Sequence, residues 1–283
     1  MKSNKNCMNA TWFFALVLTS VIACAPALGL AKSQPASTAE LRSIENPVDL
    51  TILADEHLRL PLTLVARDYS ANGKGSVTLW FVKTPAMVDT IRDGADADVV
   101  ITADKSAIAQ LENSGQINVY ATQTIATSPL VVAASIHSSL VSSSNTLSLL
   151  DWRFNSAKTR HIITITGQDN AQKIMVDKAF NRSDLLRDSH IERVEVSSLK
   201  QAFTSMETLN YPALMLAVDA FSQPGIRIIQ RFPNTIVAPA RFKVAILAGE
   251  HMQAAHDFIA FLQRPKAQEF LKSYGLSSVV MTH

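Results

Sequence analysis

The chain has 283 residues, 47% of them hydrophobic and 18% charged, and a formal net charge of +2. Lys2 and Lys5 account for that excess; without them 24 basic side chains face 24 acidic ones, and no basic face offers itself to nucleic acid. Both cysteines, Cys7 and Cys24, lie near the N-terminus, so the rest of the chain must be held by a core rather than by disulfides.

Taken in order, the apolar run from Thr11 to Ala23 has the length of a signal-peptide core and is short for a bilayer span. Two exits stand open. Val21-Ile22-Ala23-Cys24 resembles a lipobox, which makes Cys24 a candidate lipidation site, whereas Gly29-Leu30-Ala31 fits ordinary cleavage. Residues 1–31 read as the signal and the Ala-, Ser- and Pro-rich stretch 32–47 as a linker. Export to the periplasm is expected by either route, with no membrane span in the mature form.

From Val48 strand and helix patterns alternate. "VDLTILA" is a continuous apolar run, as a strand buried on both faces should be. A helix follows with Pro61 near its start, then the strand "SVTLWFV", a short helix after Thr84-Pro85 closed by Gly94, and the strand "DVVITA". Asp104 caps the next helix and Gly115 ends it. The chain then restarts with the strand "SPLVVAAS", a Ser-rich loop, "LSLLDWRF", the strand "HIITITG" and the helix "QDNAQKIMVDKAF". "ERVEV" leads into a capping box, Ser198-Leu199-Lys200-Gln201, and "PALMLAVDAF" reads as one strand. "GIRIIQRF" and "FKVAILAG" are later strands. Two final helices carry Phe258, Phe261, Leu262, Phe270 and Leu271 at helical spacing, a core stripe.

Two successive α/β units with a returning C-terminal segment predict an α/β protein of two lobes: residues 48–125, residues 126–235, and a return to the first lobe over 236–283. Ligands in such sheets sit beyond the strand carboxyl ends, where helix N-termini converge. Those ends are Asp55-Glu56-His57, Lys83-Thr84-Pro85, Gly167-Gln168-Asp169-Asn170 and Ser197-Ser198. Thr84 is open to two readings, as a plain N-cap or as one jaw of a ligand seat.

Three blocks carry a resemblance. "IRDGADADVVITADKSAIAQLENSGQI" (91–117), "SPLVVAAS" and "DFIAFLQRPKAQEFLKSYGL" (257–276) are similar to segments of the extracytoplasmic molybdate-binding proteins of ABC importers, and the likeness covers nearly all of 48–277. It implies a two-lobe, hinged fold of the periplasmic-binding-protein type, each lobe a mostly parallel sheet flanked by helices. In the cleft it implies one oxyanion such as molybdate or tungstate. It also implies a cognate ABC permease as partner, a monomeric state, and neither a catalytic cofactor nor an enzymatic activity.

The binding positions diverge from that family. The resemblance places His57 where the first anion-binding serine belongs and Thr84 where the next hydroxyl does, with Lys83 beside it. A second-lobe backbone donor falls near Ala171-Gln172, another on Leu199, and the pocket tyrosine near Ala217, which has no side-chain donor. One hydroxyl and two amides therefore match, and replacing tyrosine by alanine enlarges the pocket.

His57, at a helix N-terminus, is disfavoured as a cation but can donate through a neutral ring nitrogen. Asp55 and Glu56 would repel a dianion unless they turn away or pair with Lys83. With His57 they could alternatively ligate a metal, although three consecutive residues rarely converge on one ion. Asp219 reads as a helix cap or hinge contact. No Gly-x-Ser-x-Gly, phosphate-binding glycine loop or His-Glu-x-x-His is present, and His251 and His256 do not share a helix face.

Overall fold

Alternate residues of the central strands divide the apolar interior between two faces. The computed structural model describes residues 48–117, 122–141, 160–166, 170–183, 186 and 190–278. The expected signal and linker, Cys24, "LSLLDWRF" and the Gly167-to-Asp169 strand end lie outside them. In β1 (Leu50–Asp55), Leu50, Ile52 and Ala54 join one apolar cluster while Leu53 joins another on the opposite side. This is the period-2 consequence of a pleated strand covered on both faces.

Two five-stranded sheets are built on one plan. In the first, β1 pairs in parallel with β2 (Val77–Val82) and β3 (Val99–Thr102). The antiparallel β10 (Ala240–Ile246) and β4 (Gln123–Ser128) complete the order β2-β1-β3-β10-β4. In the second, β6 (Arg160–Ile165) pairs in parallel with β7 (Ile191–Val196) and β8 (Ala213–Leu216). The antiparallel β5 (Leu130–Ser135) and β9 (Ile226–Arg231) give β7-β6-β8-β5-β9. The second order is the first repeated strand for strand, and each sheet is mixed rather than wholly parallel.

The chain crosses between sheets twice. Only Pro129 separates β4 from β5, and residues 232–239 connect β9 to β10. The strand β4 has no clear apolar alternation, which is why sequence reasoning starts its crossing strand only at Ser128. Edge strands β2, β7 and β9 alternate in burial instead of running continuously buried. Glu192, Arg193 and Glu195 on β7 and Arg227 and Arg231 on β9 place charge along those edges, where it discourages pairing with another chain.

Eight α-helices are described: α1 (Arg59–Ala71), α2 (Thr84–Arg92), α3 (Lys105–Asn113), α4 (Asn170–Arg182), α5 (Leu199–Thr208), α6 (Ala217–Phe221), α7 (Met252–Leu262) and α8 (Pro265–Ser273). Gly94 and Gly115 follow α2 and α3 with φ of 91° and 72°, the left-handed geometry that ends a helix at little cost only with glycine. Sequence reasoning reads "PALMLAVDAF" as a single strand. The structure ends that strand at Leu216 and turns Ala217–Phe221 into a helix, because the chain crossing supplies partners for its first amides. Ala217 N–H donates to the Pro129 carbonyl at 2.9 Å and Val218 N–H to Ser128 Oγ at 3.1 Å.

The C-terminal helices return to the first lobe. Tyr69 on α1 is 1% exposed and meets Phe258 and Phe261 edge-on, each at 5.2 Å between ring centroids. That arrangement suits the aromatic quadrupole, and burial pushes the Tyr69 phenol above its ordinary pKa. The cluster containing these rings continues through Leu130, Leu214 and Val218, so one apolar core joins both lobes. Among the described residues no helix is long and apolar enough to cross a membrane.

Candidate functional site

The strand ends of the first lobe turn inward and bond to one another. Asp55 closes β1 in register with Val82, the last residue of β2, so the segments leaving both strands start side by side. A 3-10 turn, Glu56–Leu58, follows β1, and Asp55 caps it: Asp55 Oδ1 accepts from His57 N–H at 3.2 Å. The other carboxylate oxygen, Oδ2, accepts from Thr84 Oγ1 at 2.9 Å. Asp55, His57 and Thr84 are 1%, 4% and 2% exposed, which makes these interactions those of a desolvated cluster.

The cluster reaches the second lobe through the His57 ring. His57 Nδ1 lies 2.7 Å from Asp219 Oδ1 on α6, and both side chains are 2% exposed. A carboxylate can only accept, so Nδ1 carries the proton in this bond. The crossing residues Ser128 and Pro129 hold the first turn of α6, and that turn aims Asp219 at the first lobe. Thr84, Asp55, His57 and Asp219 thus form one buried polar chain from the end of β2 to α6.

Several expectations are corrected by this geometry. Thr84 is not the N-cap of α2: Lys83 holds that position in extended conformation, and Thr84 is the first helical residue with Pro85 next. The Thr84 hydroxyl is thereby released from capping and reaches Asp55. Lys83 is exposed, while Asp55 is buried and bonded to Thr84. Asp55, Glu56 and His57 do not converge as metal ligands. They face Thr84, Arg59 (3.9 Å from Glu56) and Asp219 respectively, and no group of three or more His, Cys, Asp or Glu among the described residues could hold a metal ion. Asp219 is a contact across the lobes rather than a cap.

The second-lobe positions lie at helix starts. Ala171 is half-buried and Gln172 fully buried in the first turn of α4. Leu199 opens α5 and packs against the second lobe's apolar cluster. The capping box there forms with a shift: Ser198 Oγ accepts from Gln201 N–H at 3.2 Å, and Gln201 Oε1 accepts from the Ser197 amide and hydroxyl at 3.0 and 3.1 Å. Ala217 is buried with its amide committed to Pro129, so it offers a guest only space. His251 meets Asp98 at 3.0 Å, apart from this cluster. A surface cavity of about 370 Å³ lined by Lys200, Phe203, Thr204, Glu207 and Gln223 involves none of the expected site residues.

Sequence reasoning missed the pairing of His57 with Asp219 and the inward role of Asp55. The pair is separated by 162 residues, which leaves no local signal. For Asp55 a signal existed: a carboxylate immediately before a helical turn commonly accepts from the amide two residues on.

The duplicated sheets, the double crossing and the polar strand ends define a two-lobe solute-binding architecture. The family model described as bacterial extracellular solute-binding protein matches residues 50–277, and the chain belongs to that family. It is 22% identical over 236 residues to the molybdate-binding protein ModA of Escherichia coli K12, covering 81% of this chain and 88% of that one. A substrate-binding domain assigned to a molybdenum ABC transporter from Clostridium difficile superposes with a TM-score of 0.68 at 16% identity, over 82% of this chain and 99% of the other. The sulfate-binding protein SubI of Mycobacterium tuberculosis does so with a TM-score of 0.63 at 15% identity, over 83% and 88%. At these identities the structural likenesses speak for the fold.

Proposed function

We propose that this chain is the extracytoplasmic binding component of an ABC importer, taking an oxyanion of the molybdate and tungstate kind between its lobes and delivering it to a cognate permease. The observation that carries the reading is the convergence of donors at the carboxyl ends of β1 and β2, opposite a second lobe built on the same plan. Thr84 would supply a hydroxyl, the starts of α4 and α5 at Ala171, Gln172 and Leu199 would supply amides, and Ala217 would leave room. Lys83 would tune the charge at the rim, and His57 would act from the buried end of the seat. The names of the relatives favour molybdate, with tungstate as its close chemical analogue, and the family favours binding over catalysis.

Rotation of the lobes about Ser128–Leu130 and 232–239 would open and close the cleft, a hinge motion common to two-lobe binders. The finer localisation, a periplasmic monomer either free or held by lipid on Cys24, follows from the same reading. A second reading is favoured by one observation, the capture of the Thr84 hydroxyl and His57 amide by Asp55. A guest other than molybdate, or a module that has kept the fold and lost its guest, would tolerate that carboxylate.

Thermal shift of the purified protein against molybdate, tungstate, sulfate, phosphate and small carboxylates tests the first reading. A guest at 100 times its Kd adds about 2.7 kcal/mol of stability, a rise of about 5–11 °C at the roughly 2–4 °C per kcal/mol of a domain of this size. A rise with molybdate or tungstate supports the first reading; a rise with another solute alone, or a flat panel, overturns it in favour of the second.

A further inference from the structure

We propose that Asp55 is a tethered competitor for the anion seat, a carboxylate that holds the seat's donors whenever no guest is bound and so sets how strongly an anion must bind to enter. The inference rests on the reading that guests bind at the carboxyl ends of β1 and β2. A hydroxyl from the start of α2 and an amide from the turn after β1 converge on the two oxygens of one carboxylate, at 2.9 and 3.2 Å. Two neutral donors in a desolvated site are what would hold an external oxyanion, and here the anion belongs to the chain.

The geometry makes the competition effective. Asp55 is 1% exposed, and its backbone ends a strand held between β2 and β3. Asp55 itself pairs with Val82 of β2 and directly follows Ala54, the last residue paired with β3, so its side chain reaches the seat at the high local concentration of a short tether. The His57 residue that provides the amide is itself anchored, through its ring, to Asp219 on the other lobe. An entering anion must displace the carboxylate from Thr84 and from the His57 amide, and must tolerate a like charge nearby until Asp55 rotates away. Asp55 is thus a specificity-determining residue: it penalises dianions most and neutral or singly charged guests least, independently of cavity size.

Isothermal titration calorimetry with molybdate, sulfate and acetate tests this on the full protein in four forms: wild type, Asp55→Asn, Asp55→Ala and Asp55→Ala/Thr84→Val. Asp55→Asn keeps the shape and serves as the folded control for Asp55→Ala, with circular dichroism melting run on each. Removing the charge should tighten molybdate or sulfate binding by about tenfold or more, and acetate binding by less. Adding Thr84→Val should return the gain to the wild-type level, because the liberated hydroxyl is the donor the anion takes. Equal or weaker oxyanion binding by both folded Asp55 variants would overturn the proposal. If that happens while wild type still binds molybdate, the importer reading survives and only the competitor role fails. No binding by any form overturns the proposal as well, since vacating the seat would then not have opened it.

Discussion

The two lobes share one strand order yet finish their strands in opposite ways. In the first, Asp55 and Thr84 turn into the protein and are satisfied there, with exposures of 1% and 2%. In the second, the corresponding end after β7 presents Ser197 to solvent and Ser198 half-exposed, and their hydrogen bonds stay local, inside the cap of α5. Identical topology therefore supplies two sets of strand ends and leaves their chemistry to individual side chains. After β1 and β2 the first lobe fills its donors from within, whereas after β7 the second spends its serines on helix capping. The cores differ in the same sense: three aromatic rings interlock α1 with α7 in the first lobe, whereas the second lobe's own cluster is largely alanine, methionine, valine and isoleucine.

The sharpest way to break this contrast is to remove the contact that ties one lobe's strand end to the other lobe's helix. Asp219→Ala leaves the His57 ring in a site that is 2% exposed, and breaking a buried pair by removing one partner costs about 3–5 kcal/mol. Urea denaturation should show that loss, and the His57→Leu/Asp219→Leu double variant should recover a substantial part of it, because no polar group is then stranded. Additive losses from the two single substitutions would show that the residues do not act as a pair.

A smaller effect is expected from Thr84→Val, which removes one bond to a buried carboxylate, about 1.5–3 kcal/mol by denaturant midpoint. The comparison on the second lobe is Ser198→Ala, loss of a helix cap, for which about 1 kcal/mol is typical. If Ser198→Ala costs as much as Thr84→Val, the strand ends of the two lobes are energetically alike and the distinction drawn above is structural only.

The smallest effect lies on the surface of the second lobe. Lys173, then Arg193, hydrogen-bond to Asp177 and hold its carboxyl below the usual range. A lowered folded pKa means that the stabilisation is present above the unfolded value, about 3.9, and disappears as the pH falls through the folded value. The group is 39% exposed and solvent screens it, so Asp177→Asn should cost well under about 1 kcal/mol at neutral pH. Melting temperatures of the two forms should converge as the pH drops below that range.

Much of the architecture could be read from the residues in order. Continuous apolar runs gave β1, β3, β5 and β6, because a strand covered on both faces has no polar side to show. Glycine stops and the Asp104 cap gave the ends of α2 and α3, because those constraints act within a few residues. The helix start at Ser198-Leu199 was legible for the same local reason, whereas α2 begins one residue earlier than its sequence suggests, at Thr84.

The tertiary structure alone decided what those strand ends do. Which donor meets Asp55 depends on the parallel register of β1 with β2, and which acid meets His57 depends on a chain crossing that docks α6 by bonds from Ser128 and Pro129. The strand-to-helix switch at Ala217 has the same origin, since its first amides find partners only across the chain crossing. Local sequence fixes backbone preference over a few residues. Burial and pairing across 29 and 162 residues fix the protonation partners and the charge of the site, and that energy exists only once both lobes are folded.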